Sequence, residues 1–204
     1  MMESKIARFI SIVLHPMFTV SWAMLVMLNL NAYFVSIIPE RLRWTIIALV
    51  FANTTLVPAI LVWIMARRDI ISSLDMPFRK ERTIPYLIFA IFYASTYFLM
   101  KNIGLPNLYY LFIVGGLASI VVATAINFYW KISIHMIGLG GLTAGFLVMM
   151  YKSLINEPIL IIILIILSGL TGFARLQSNS HSPAQVYTGY LVGFVIVAGI
   201  FLYY

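Results

Sequence analysis

Seven apolar stretches follow one another along this chain, at residues 9–34, 44–66, 84–99, 108–130, 132–151, 158–173 and 186–204. A helix of about 20 apolar residues spans the roughly 30 Å hydrocarbon core of a bilayer, and in lipid only helices and closed barrels satisfy their own backbone hydrogen bonds. A barrel needs shorter segments of alternating polarity, and this sequence does not contain them. The pattern predicts an all-α polytopic membrane helix bundle with six or seven transmembrane helices. The count turns on residues 127–135, where the fourth and fifth stretches nearly merge. Lys131, Ser133 and His135 interrupt them there, and such side chains in hydrocarbon mark either a site or a membrane boundary.

Composition agrees: 63% of the residues are hydrophobic and 9% charged. At 204 residues, seven spans leave no room for a second, soluble unit, so residues 1–204 are expected to form a single integral membrane domain. The basic start, Lys5 and Arg8, resembles the head of a secretory signal, but the following apolar run is longer than a signal core and is expected to stay as a spanning helix. With no Cys, disulfides and thiolate chemistry are excluded. Three His and six scattered carboxylates show no ligand spacing for zinc or iron, so no metal or other cofactor is expected. The net charge of +7 favours anionic partners, here phospholipid head groups and other membrane lipids rather than nucleic acid.

Seven helices would put the N-terminus and the loops after helices two, four and six on one side. The polar residues collect there: Arg67, Arg68, Asp69, Asp75, Arg79, Lys80, Glu81 and Arg82 in the first of these loops, Lys131, Ser133 and His135 in the second, and Arg175 to Gln185 in the third. With Lys5 and Arg8, that side owns nine of the 13 basic residues, against Arg41, Arg43, Lys101 and Lys152 opposite. The positive-inside rule reads this bias as topology alone. Two histidines add to it, His135 and His181, each at a helix boundary beside a basic residue and a hydroxyl. That arrangement suits an anion. His15, followed by Pro16 in the first helix, reads as a local kink. Gly138, Gly140, Gly141, Gly145 and the Gly189 to Gly193 spacing read as close helix approach.

Around His181 the chain runs Ala-Arg-Leu-Gln-Ser-Asn-Ser-His-Ser-Pro-Ala-Gln-Val-Tyr-Thr-Gly, with Arg175 six positions before the His and Gln185 four after it. This resembles the third motif of the type 2 phosphatidic acid phosphatase superfamily: Ser-Arg, five residues, His, three residues, Asp. Arg175, His181, Val186 and Gly189 fall in register, while Ala174 replaces the Ser and Gln185 the Asp. The second motif, Pro-Ser-Gly-His, is matched in part by Ser133 and His135. The first, a Lys followed by Arg and Pro, is matched loosely by Arg79-Lys80-Glu81-Arg82-Thr83-Ile84-Pro85, with Asp75 where the Lys would stand. The resemblance covers residues 79–189, with all three motifs on one side of the membrane.

The resemblance implies a metal-independent phosphatase acting on a phospholipid or isoprenyl lipid phosphate or diphosphate, with His181 as nucleophile, His135 as the acid for the leaving group, and residue 185 orienting His181. A phosphoryl group in transfer spreads negative charge over its equatorial oxygens and needs a preorganised positive cradle. Arg175, Arg82, Arg79 and Lys131 would supply it, and Ser133 one more hydrogen bond. It also implies a bacterial inner-membrane protein with an extracytoplasmic site, although the raw charge count points the other way. Gln185 can accept a hydrogen bond from His181 but brings no charge, and an amide presenting its NH2 would select the wrong tautomer. Glu81 or Asp75 would then have to supply the carboxylate.

Other readings remain beside this one. His181 can be a loop residue bonded to backbone and His135 a helix-end cap. The chain can be a binder of phospholipid, or a support for a partner protein, that kept the anion site without turnover. A transporter would show inverted repeats or broken midplane helices.

Overall fold

The computed structural model describes residues 9–74 and 76–204, so Lys5, Arg8 and Asp75 lie outside the described residues. Among the described residues, seven helices are long and apolar enough to cross a membrane: α1 Phe9–Met27, α2 Glu40–Arg67, α3 Arg79–Asn102, α4 Asn107–Asn127, α5 Ile134–Tyr151, α6 Pro158–Gln177 and α7 Pro183–Tyr203. No strand occurs among the described residues. The protein is thus an all-α polytopic bundle, and the count is seven. The near-merged fourth and fifth stretches are separated cleanly, α4 ending at Asn127 and α5 beginning after the extended Ser133.

The first apolar stretch is not one rod. α1 breaks at Leu14 and His15, because Pro16 disfavours helical geometry in the residue before it, and His15 adopts ψ 138°. Its Nδ1 then caps the short 3₁₀ turn Pro16–Phe18 by accepting the Met17 N–H at 3.3 Å. α2 carries a π-helical turn at Ala52–Leu56. The turn presents Asn53 to α3, donating to Thr96 Oγ1 at 2.7 Å, and Thr55 to α1, donating to the Met17 carbonyl at 2.8 Å. Polar side chains thereby join α1, α2 and α3 inside a bundle where lipid offers no hydrophobic drive to hold helices together.

α5 is the central helix: 72% of its span is buried within the protein, against 22–44% for the other six. It packs most intimately on α7, through glycine on both sides. A Cβ on Gly193 would stand 1.9 Å from the Ile137 carbonyl oxygen, one on Gly140 2.1 Å from that of Tyr190, and one on Gly189 2.7 Å from that of Ser133. The glycines serve as contact points, as their spacing predicts. The consequence for function is register, since the first turns of α5 and α7 are locked at the same level. There the Ser133 N–H donates to the Gln185 carbonyl at 3.4 Å.

Candidate functional site

The chain between α6 and α7 positions His181. α6 runs to Gln177, left-handed Asn179 turns the chain, and α7 starts at Pro183 under a Ser182 cap. Ser182 and Gln185 form a capping box: Ser182 Oγ accepts the Gln185 N–H at 3.4 Å, and Gln185 Oε1 accepts the Ser182 N–H at 3.1 Å. The same Oε1 lies 3.0 Å from His181 Nδ1. A backbone N–H can only donate, so the amide atom facing it is the oxygen. The His181 nitrogen facing that oxygen must in turn carry a hydrogen. Neutral His181 is therefore the Nδ1–H tautomer, with a lone pair on Nε2. Glu81 does not replace the missing carboxylate: its two oxygens accept from the Ser72 N–H at 3.1 Å and the Ser72 hydroxyl at 2.9 Å.

A cavity of about 870 Å³ lies within the bundle, and Arg82, His135, Arg175 and His181 stand together in its wall. All four are buried. Arg82 is held by carbonyls from two loops, its Nε donating to Met76 at 3.1 Å and its Nη1 to Ile132 at 3.5 Å, which leaves further guanidinium donors for an anion. Away from this polar end the lining is largely apolar, with the Thr19 and Ser119 side chains among it. It follows α5 from His135 to Leu142 and α3 from Arg82 to Tyr93, so at 1.5 Å per residue it reaches roughly 10 to 16 Å into the bundle.

Charge is concentrated around His181. Burial, then the Arg175 and Arg82 guanidinium groups, lower its pKa to about 3, against the smaller opposing effect of the Gln185 hydrogen bond. The ring is neutral at neutral pH and its Nε2 lone pair is available. Half-buried Lys131 has its pKa lowered as well, by desolvation first and then by Arg82 and Arg175, which places the three cations in one electrostatic neighbourhood.

The remaining expected site residues stand differently. Gln185 is half-buried and stays behind His181, outside the cavity wall. Ser133 is fully buried, its hydroxyl has no hydrogen-bond partner and does not line the cavity, and its backbone forms the α5–α7 contact. Arg79 is exposed and absent from the cavity wall, and its carbonyl accepts from Asn127 Nδ2 at 2.8 Å, tying the start of α3 to the end of α4.

The structure adds residues for which the sequence offers no motif. Ser11 and His15 of α1 line the cavity, as does Tyr86, whereas Ser178 and Ser180, also in the wall, stand inside the motif stretch between Arg175 and His181. The Ser11 carbonyl lies 3.1 Å from His135 Nε2 and its hydroxyl accepts from Arg175 Nη1 at 3.4 Å. The His15 ring meets that of His135 edge to face, with centroids 5.0 Å apart. The sequence signal for the α1 residues was the His15-Pro16 pair, legible as a kink but not as part of a site. Among the described residues, no three His, Cys, Asp or Glu side chains come together in a way that could hold a metal ion.

Fold and site define a class: a seven-helix membrane protein with a buried arginine and histidine cluster at the head of an apolar cavity. Compared with protein-family models, curated proteins and solved structures, the chain matches none.

Proposed function

We propose that this protein is a membrane lipid phosphatase, hydrolysing a lipid phosphate or diphosphate through a phosphohistidine at His181 without a metal. One observation carries the reading: a neutral His181, its Nε2 lone pair set by the Gln185 contact, shares with Arg82, Arg175 and His135 the polar head of a cavity whose deeper lining is largely apolar. The dimensions suit a phosphorylated head group with its hydrocarbon tail beneath it. The motif resemblance to the type 2 phosphatidic acid phosphatase superfamily supports the same assignment.

In this reading Arg82 and Arg175, with Lys131 nearby, hold the phosphoryl oxygens. His181 Nε2 attacks phosphorus, the bond to the leaving oxygen breaks, and His135 protonates that oxygen. Water then attacks phosphorus, the N–P bond breaks, and the proton lost by water returns to His135. Candidate substrates are phosphatidic acid, phosphatidylglycerol phosphate, an isoprenyl diphosphate and a lipid A phosphate. By the motif resemblance we place the protein in a bacterial inner membrane with the site on the extracytoplasmic face; with Arg82, Lys131 and Arg175 set aside as phosphate binders, the basic residues stand six against four and the charge bias toward the other orientation weakens. The natural absence of Cys allows that face to be read by labelling a single Ser178→Cys in intact cells.

A second reading is favoured by one specific feature. Gln185 stabilises no positive charge on His181, as an Asp would, so the chain can be a phospholipid binder that has lost turnover. The separating experiment is phosphate release by purified protein in detergent from the four lipids, without added metal. The enzyme reading expects release that falls about 10³-fold or more in His181→Ala, with an acid-labile phosphoryl group trapped on His181 in the wild type. Release only after Gln185→Asp would establish the binder reading. No release from either protein would remove the phosphatase assignment for these substrates.

A further inference from the structure

The break in α1 leaves a backbone group with no place in an ordinary helix. In an unbroken helix the Ser11 carbonyl would accept the N–H of His15. Here Leu14 N–H still reaches the Ile10 carbonyl at 2.9 Å, but His15 N–H turns to the Ile12 carbonyl at 3.3 Å. The register slips by one residue just ahead of Pro16, and the carbonyl released is that of Ser11. It is the same carbonyl that lies 3.1 Å from His135 Nε2.

We propose that the His15-Pro16 break is a positioning device for His135: it frees the Ser11 carbonyl to hold the ring's Nε2–H, so that Nδ1 is the nitrogen that carries the proton in the reaction. A carbonyl only accepts, so the nitrogen facing it is protonated and the neutral ring has its lone pair on Nδ1. The His15 ring packs against that of His135 edge to face, and His15 is itself oriented through Nδ1 by the turn that Pro16 starts. The Ser11 hydroxyl, accepting from Arg175 Nη1, ties the same turn to the phosphate-binding cluster.

The proton assignment rests on the phosphatase reading. In the first step the Nδ1 proton of the His135 imidazolium passes to the leaving oxygen as the P–O bond breaks, and Nε2–H stays on Ser11. The neutral ring left behind is the tautomer that the carbonyl favours. In the second step Nδ1 takes the proton from the attacking water as the N–P bond breaks. Ser11 and His15 are positioning residues; neither gives up a proton in the cycle.

The test uses full-length protein in micelles with 15N-labelled histidine, whose three rings are assigned by single substitutions. Wild-type His135, when neutral, is expected to show a pyrrole-like Nε2 and a pyridine-like Nδ1. Replacing Ile12 by its α-hydroxy acid turns the Ser11 carbonyl into an ester carbonyl, a weaker acceptor, without changing any side chain. The His135 pattern should then shift toward a mixture of tautomers, and kcat should fall about fivefold with KM little changed, in line with the loss of one hydrogen bond. Pro16→Ala, which lets the helix recapture the carbonyl, should shift the spectrum the same way. Ser11→Ala, which keeps the carbonyl, should not. An Nδ1–H tautomer in the wild type, or an ester variant whose His135 spectrum is unchanged, overturns the proposal. The spectrum needs no turnover, so a protein that releases no phosphate defeats the phosphatase reading while the His135 pattern is still decided by itself.

Discussion

Along the α5–α7 contact, Gly140, Gly189 and Gly193 bring backbone against backbone, and none of the three would accept a methyl group without movement of the main chain. Between α1, α3 and α5 the same bundle leaves a cavity of about 870 Å³, its walls held by side-chain hydrogen bonds and by a broken helix. His135 stands in the first turn of one helix of the tight pair and His181 just ahead of the other, whereas Arg82 and Ser11 come from the open side. If the protein acts as proposed, the reacting groups need small tolerances and the lipid needs space to enter. The bundle separates the two by placing small residues where position matters and irregular backbone where room is needed.

The largest effect is expected from closing that contrast. Gly193→Val puts a branched side chain where a Cβ alone would stand 1.9 Å from a carbonyl oxygen, so α5 and α7 must part. Overpacking a core commonly costs about 1–3 kcal/mol, and backbone yields less readily than a side chain. Loss of monodisperse protein in size-exclusion chromatography is the expected outcome. Gly199→Ala on the same helix has nothing within 4 Å of the new Cβ, and its melting temperature should stay at the wild-type value.

Next in size is Arg175→Gln on the cavity side. Removing one preorganised charged donor commonly lowers turnover by about 10²- to 10³-fold. Because Arg175 is the foremost charge holding the His181 pKa down, the same change should raise that pKa from about 3, read by NMR titration of the His181 ring. An unmoved titration would mean that Arg175 does not face His181.

A smaller effect follows from His181 in the wild type. Its folded pKa of about 3 lies below the ordinary value near 6.5, so between those limits the unfolded chain binds more protons. The stabilisation is complete above about pH 6.5 and is lost as pH falls toward 3. Thermal unfolding in detergent should move to lower temperature from pH 7 to pH 4, and less so in His181→Gln. Equal slopes in the two proteins would place the acid sensitivity elsewhere.

The smallest effect is expected at Ser133. Its hydroxyl lies outside the cavity wall, and only its backbone joins α5 to α7. Ser133→Ala should change phosphate release less than about twofold, within what an exchange of one uncommitted hydroxyl does. A loss of tenfold or more would return the hydroxyl to the phosphate cradle.

The spanning helices, the glycine contacts and the grouping of Arg82, His135, Arg175 and His181 were legible in the sequence because each has a local signature: apolar length, small-residue spacing, and polar residues at helix ends. The kink at His15-Pro16 was legible too, but its use was not. Ser11 has an unremarkable side chain, and what matters is a carbonyl whose release depends on backbone hydrogen bonding three to five residues away. Arg79 and Ser133, grouped with the site by spacing, stand away from it, because a motif read along the chain does not reveal which way a side chain turns when two helix starts meet.

Lipid leaves the chain little choice of secondary structure, since backbone groups in hydrocarbon must be satisfied inside the protein, and the apolar runs alone therefore dictate an all-α bundle of six or seven helices; the break between Asn127 and Ile134 that makes the count seven was decided by the structure. Tautomers, cavity walls and carbonyl partners belong to contacts between segments far apart in the chain. Whether Gln185 could orient His181 rested on the Ser182 N–H, which compels the amide oxygen to face the ring, and whether α1 belonged to the site rested on a packing between residues 11 and 135 that no local signature encodes.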